Sequence, residues 1–342
     1  MESPCPQSPR LPPVSIVPFV ASLADAARAE PRRRESDGRE NEGRESEGRG
    51  DRDGESGAVG VQAPAEGAET RPLVLSSPHS GSVYPASFLR QSRLDPVSLR
   101  RSEDCFVDRL FAAAPQHGAT LVRALFPRAY VDPNREPYEL DPAMFADSLP
   151  SFANTRSLRV LGGLGTIARV VADGAEIYRE KLPFAEAEAR ISACYRPYHA
   201  ALAEALGEAE RRHGRVVLLD CHSMPSMAAP GERDSGRGRP DIVLGDRFGM
   251  SCAPIVIETA ENLLRARGYR VGRNDPYAGG YITHHYGRPR RGRHALQIEI
   301  NRALYMDETR LEPNAGFDRV RQDLEALVAA LAALPDGPLS PD

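Results

Sequence analysis

The chain has no tryptophan and one lysine, Lys181, so 43 of its 44 basic residues are arginine. Those arginines are scattered and form no stripe, which reads as coding bias. The net charge of −4 gives no electrostatic reason to bind nucleic acid or a membrane. No window offers the roughly twenty uninterrupted apolar residues that a bilayer crossing needs. The five cysteines (Cys5, Cys105, Cys194, Cys221, Cys252) are odd in number and widely spaced, matching neither a CxxC knuckle nor a disulfide framework. That usage points to a reducing cytoplasm. There is also no HExxH, so a metal site would have to be assembled from distant segments.

Residues 31–57 hold seven arginines and nine acids but nothing aliphatic or aromatic. Such a stretch cannot offset its ordering entropy by burial. The composition therefore predicts a disordered extension over residues 1–70, a single domain over 71–335 and a short tail over 336–342. Leu11 to Ala29 is moderately apolar but makes a poor secretory signal: Pro12, Pro13 and Pro18 interrupt it, only Arg10 precedes it as a cation, and Asp25 lies within it.

From Arg71 onward short apolar runs alternate with helical patterns, the mark of an α/β domain with a mixed, largely parallel sheet. Strands are expected at 72–77, 119–125, 216–219, 240–244, 269–271 and 294–302. Helices are expected at 97–114, at 184–211 with an interruption at Pro197, at 255–267 and at 317–334.

In open α/β sheets the functional crevice lies beyond the carboxyl ends of the strands. His79 follows one strand within SSPHSG and His222 follows another within DCHS. One such histidine is ordinarily a turn residue; two at equivalent strand ends suggest metal ligands. Period-two geometry puts Asp220 and His222 on one face and Cys221 on the other, so Asp220 can orient His222 or face the metal site itself, and Cys221 belongs to the core. A third ligand could come from Ser102-Glu103-Asp104, either carboxylate serving, although acids also favour helix starts for dipole reasons. Glu299 lies in HALQIEINR, where Leu296, Ile298 and Ile300 alternate with polar residues. It either faces water or is held beside a charge, and near a metal it would be a general base. Asn134-Arg135 could clamp a substrate carboxylate, or Arg135 could pair with Glu136 or Glu139 at the surface. The stretch 274–287 combines adjacent glycines with His284, His285, Tyr277, Tyr281 and Tyr286, but lacks the Lys and Ser/Thr of a phosphate loop and no helix pattern follows it.

In order along the chain, SSPHSG, SED, DPNR, DCHSMP, LGDRFG, NDPYAGGYITHHYG and HALQIEINRALYMDE resemble the N-formylglutamate amidohydrolase family, from about Pro72 to the last helix. The resemblance implies a three-layer α/β/α fold related to the zinc exopeptidases, and hydrolysis of N-formyl-L-glutamate to formate and glutamate in histidine breakdown. It implies Zn2+ held by His79, Asp104 and His222, with Glu299 as base. The DCHS and DPNR segments also resemble those of metallocarboxypeptidases that hold zinc and the substrate carboxylate, which supports Asn134 and Arg135 as anchors for an acidic N-acyl amino acid. Asn274, His285, Tyr286 and His294 are implied lining or oxyanion groups. A zinc carboxypeptidase or another N-acyl amino acid amidase would use the same parts. A non-catalytic binding protein on the fold would be marked by loss of Glu299 or a ligand, and all are present.

Overall fold

The computed structural model describes residues 57–171, 174–227 and 238–341. The stretch 31–56, for which disorder is expected, lies outside them. Seven strands form one sheet: β1 (Val59–Gln62), β2 (Leu73–Ser77), β3 (Thr120–Ala124), β4 (Val216–Met224), β5 (Ile242–Gly245), β6 (Val271–Arg273) and β7 (Arg293–Asn301), in the order β1-β3-β2-β4-β7-β5-β6. The centre, β3-β2-β4-β7, is parallel; β1 and β5 run antiparallel to β3 and β7.

Every residue of β4 is buried, as expected of a strand covered on both faces. Alternation along the strands sorts the core into two layers. Leu73, Leu75, Val217, Leu219, Cys221, Leu296 and Ile298 pack on one side with α1 (Val107–Leu110), α4 (Pro254–Ala266) and α6 (Phe317–Ala332). Val74, Val122, Val216, Leu218 and Ala295 pack on the other with α2 (Phe184–Arg190) and α3 (Arg196–His213). The result is a three-layer α/β/α domain. No helix among the described residues is long and apolar enough to cross a membrane.

Several boundaries differ from expectation for identifiable reasons. Val59–Gln62, assigned above to the extension, pairs with β3 as an edge strand, so ordered structure begins before Arg71. The tail is packed too: Leu339 is fully buried, and Arg215 bonds Asp336. The single helix expected over 97–114 breaks into Pro96–Arg100 and α1, because Phe106 is left-handed (φ 66°) and the Asp104 amide donates to His79 O at 3.0 Å. The pull of Asp104 toward His79 overrides the local helical pattern. Before Pro197, which lacks an N–H, the helix widens into a π turn at Ile191–Tyr195 and continues to Gly214, whose φ of 71° ends it. The glycine-rich stretch contains a short helix, α5 (Tyr281–Tyr286), which its aromatic and histidine content concealed.

Candidate active site

β2 and β4 run in parallel with Ser76 opposite Asp220, so the residues just beyond β2 reach the level of His222. There the chain turns sharply; a Cβ on Gly81 would strike the Phe126 carbonyl. His79, Asp104 and His222 converge, all buried. His79 Nδ1 and His222 Nδ1 are 3.1 Å apart, and Asp104 Oδ2 lies 3.1 Å from the latter and 3.3 Å from the former.

Each outer ring nitrogen meets a carboxylate. His79 Nε2 is 2.7 Å from Asp132 Oδ1, and His222 Nε2 is 3.1 Å from Asp220 Oδ2. Placing the ring protons on the Nε2 atoms leaves bare Nδ1 lone pairs facing one another and the Asp104 carboxylate. Three acceptors with no donor between them call for a cation. Their 3.1–3.3 Å spacing matches the roughly 3.3–3.5 Å that separates donors around a tetrahedral zinc-sized ion. The residues thus fit a three-ligand metal site. Burial works against charge on both groups, yet hydrogen bonds with His222 and His79 hold Asp104 well below the usual carboxylate range, and Asp220, ahead of Asp104, raises His222 well above a free imidazole, so the ring holds a proton that a bound cation would displace. Asp104 is the acidic member of the set; Glu103 is committed elsewhere, accepting from Tyr84 Oη at 2.6 Å and from Arg100 Nε at 3.2 Å.

Glu299 stands on β7 directly opposite His222 on β4 and accepts from Gln297 Nε2 at 2.9 Å. Of the two alternatives open in the sequence, it is the buried one beside charge. Burial pushes its pKa up to about 7, against the opposing pull of His222. Three arginines surround the acids. Arg302 Nη2 donates to Asp104 Oδ1 at 3.0 Å, and Arg128 Nη2 to Asp132 Oδ2 at 2.8 Å. Arg128 keeps 22% side-chain exposure against 8% for Arg302 and 6% for Arg135, so it is the cation most open to an incoming molecule. Asp132, Arg128 and Arg302 were not singled out from the sequence. Asp132 nevertheless leads the DPNR motif, and Arg302 directly follows the Glu299 strand.

Asn134 is brought in beside the His222 ring, and its Oδ1 accepts from the Ile282 amide of α5 at 2.8 Å. Gly280 must be glycine here, because a Cβ would collide with the Asn134 amide. Arg135 is buried rather than paired at the surface. Its Nε donates to Leu164 O at 2.7 Å and its Nη1 to Asn134 O at 2.8 Å, with Nη2 3.4 Å from Asp132. These contacts engage one proton on each of its three nitrogens.

Other expected lining residues are placed elsewhere. His294 sits near the start of β7, about 16 Å of strand from Glu299, and bonds Leu339 O at 3.0 Å and the Ala253 amide at 3.1 Å. Strand direction alone removes it from the crevice. Asn274 clasps the loop after β5, donating to Asp246 Oδ1 at 2.7 Å and accepting from the Asp246 amide at 3.1 Å. Tyr286 Oη is held 2.9 Å from His199 Nδ1, while His199 Nε2 donates to Pro133 O at 2.9 Å, so this pair braces the DPNR segment from behind. His285 is exposed, its ring stacked on Tyr281 at 5.1 Å between centroids.

The chain is similar to known proteins. The sequence profile of the N-formylglutamate amidohydrolase family matches residues 71–306. The N-formylglutamate deformylase of Pseudomonas aeruginosa is 32% identical over 241 residues, covering 69% of this chain and 83% of its own. That of Pseudomonas putida is 30% identical, covering 70% and 83%. A crystal structure of N-formylglutamate amidohydrolase from Ralstonia eutropha JMP134 superposes with a TM-score of 0.74 at 41% identity, covering 81% of this chain and 98% of that one. The chain belongs to the N-formylglutamate amidohydrolase family, hydrolases of carbon–nitrogen bonds other than peptide bonds.

Proposed function

We propose that this protein is a cytoplasmic zinc enzyme that hydrolyses N-formyl-L-glutamate to formate and L-glutamate. The observation that carries this reading is the convergence of two imidazole nitrogens and one carboxylate beside a buried glutamate, in a chain whose named relatives are N-formylglutamate deformylases. His79, Asp104 and His222 would hold the ion, and Asp132 and Asp220 orient the two rings. Zinc there would supply Lewis acidity, polarising the formyl carbonyl and making water at the site easier to deprotonate. Glu299 takes the proton from the attacking water and returns it to the departing amine, a role suited by its pKa of about 7. Arg128, with its exposed edge, and the remaining protons of Arg135 offer donors to the substrate's carboxylates and orient the scissile amide.

Formate release from N-formylglutamate, with N-acetylglutamate and a dipeptide alongside, tests the reading. Release from the formyl compound that stops on chelation and returns with zinc is the expected result. Preference for the acetyl compound would make it another N-acyl amino acid amidase. Cleavage of the dipeptide would make it a carboxypeptidase.

A further inference from the structure

A pocket of about 480 Å³ lies between the segment after β5 and the turn Pro289–Arg291, in the size range of roughly 300–1,000 Å³ usual for small-molecule sites. Its wall carries Arg247, Arg288, Arg290, Arg291 and His284, and no acid. The sequence accounts for this: from Pro276 to Ile298 there is no Asp or Glu, in a chain that is acidic overall. Asp246, adjacent to Arg247, is not on the wall; its carboxylate is held by Asn274.

The arginines themselves differ from their neighbours. Arg293 pairs with Glu210 and Arg273 with Glu261. Among the described residues, the four on the pocket wall form no ion pair with an acid. Two are aimed by backbone carbonyls: Arg247 Nη1 donates to Gly279 O at 3.3 Å, and Arg288 Nη1 donates to His284 O and Gly287 O, each at 2.6 Å. Met250 and Pro289 add apolar surface. Four arginines on one pocket wall with no acid among its lining residues can offer forked hydrogen bonds to an anion with several charges.

We propose that this pocket is a second, non-catalytic site that binds a small polyanion, a phosphate or carboxylate compound with at least two negative charges. It is separate from the metal site, since none of His79, Asp104, His222 or Glu299 lines it. The two sites share α5, whose Ile282 amide holds Asn134 while His284 faces the pocket.

Calorimetric titration of the full chain with inorganic pyrophosphate and, separately, with citrate at matched ionic strength tests this and distinguishes phosphate from carboxylate. Saturable one-site binding of at least one probe is expected. It should weaken at least tenfold in the Arg290→Ser/Arg291→Ser double variant, with melting temperature and formate release unchanged, and persist in His79→Ala. Absence of saturable binding by both probes, equal binding in the double variant, or loss of binding in folded His79→Ala would each overturn the proposal.

Discussion

His222 and Glu299 face each other across the parallel pair β4–β7, one residue in register with the other. A proposed metal ligand and the group proposed as base are thereby fixed by the same hydrogen-bond ladder, not by flexible loops. Glu299→Gln keeps the shape and the bond from Gln297 but cannot accept a proton. It should lower kcat by about 10²–10⁴, with zinc content and melting temperature preserved. Activity within a few-fold of the parent would refute the assigned role, and loss of the metal would make Glu299 a ligand.

Asp132 meets His79 Nε2 at 2.7 Å and is itself steadied by Arg128. Burial works against its charge, yet Arg135, His79 and Arg128 hold it well below the usual carboxylate range. Asp132→Asn should weaken zinc binding by about 10–100-fold, read by competition with a chromogenic chelator. Unchanged affinity would show that the carboxylate does not tune the ring.

Arg135→Lys replaces a fork that touches Leu164 O, Asn134 O and Asp132 by a point charge. KM for N-formylglutamate should rise about tenfold or more, the cost of one lost charge-assisted contact, and kcat should change less. The same exchange at exposed Arg156 is the control. Equal kinetics in the two variants would place Arg135 outside the substrate's reach.

Removing residues 1–56 should leave melting temperature and activity intact, since the family match begins at residue 71 and residues 31–56 offer no aliphatic or aromatic side chain to pack against the body. Removing 1–70 takes β1 as well and bares the edge of β3. Thermal unfolding and light scattering of both truncations test this: only the longer should lose stability or aggregate.

His199 gives a pH signature away from the candidate metal site. Burial, with a smaller push from nearby His285, lowers its pKa to about 4 against the bond to Pro133 O. The unfolded ring takes its proton first as pH falls, so this stabilising contribution is complete above about 6.5 and is lost on descending toward 4. The loss is of the order of 3 kcal/mol. Urea unfolding of parent and His199→Gln at several pH values should show the parent's advantage shrinking across that window, and a constant difference would contradict it.

Six of the seven sheet strands were legible because buried apolar runs and strict alternation survive into the fold, β1 being the exception, and so was the placing of His79, His222 and Glu299. Asp104 could not be separated from Glu103 by spacing, because the choice depends on a left-handed Phe106 and on Tyr84 and Arg100 claiming Glu103. His294 and Asn274 share segments with active-site residues but not their position: one lies at the wrong end of β7, the other turns into the loop after β5. Asp132 went unmarked since its role exists only across the crevice, toward a histidine 53 residues away in sequence.

The place of β7 in the sheet has a consequence for how the chain is made. β7 lies between β4 and β5 yet is the last of the seven strands in sequence. During synthesis β4 and β5 leave the ribosome with their facing edges unpaired until Asn301 has emerged. By then His79, Asp104 and His222 are long since available. A nascent chain can therefore gather its proposed metal ligands before it owns its proposed base, and a product terminated before β7 would bear the former with no Glu299 to accept a proton.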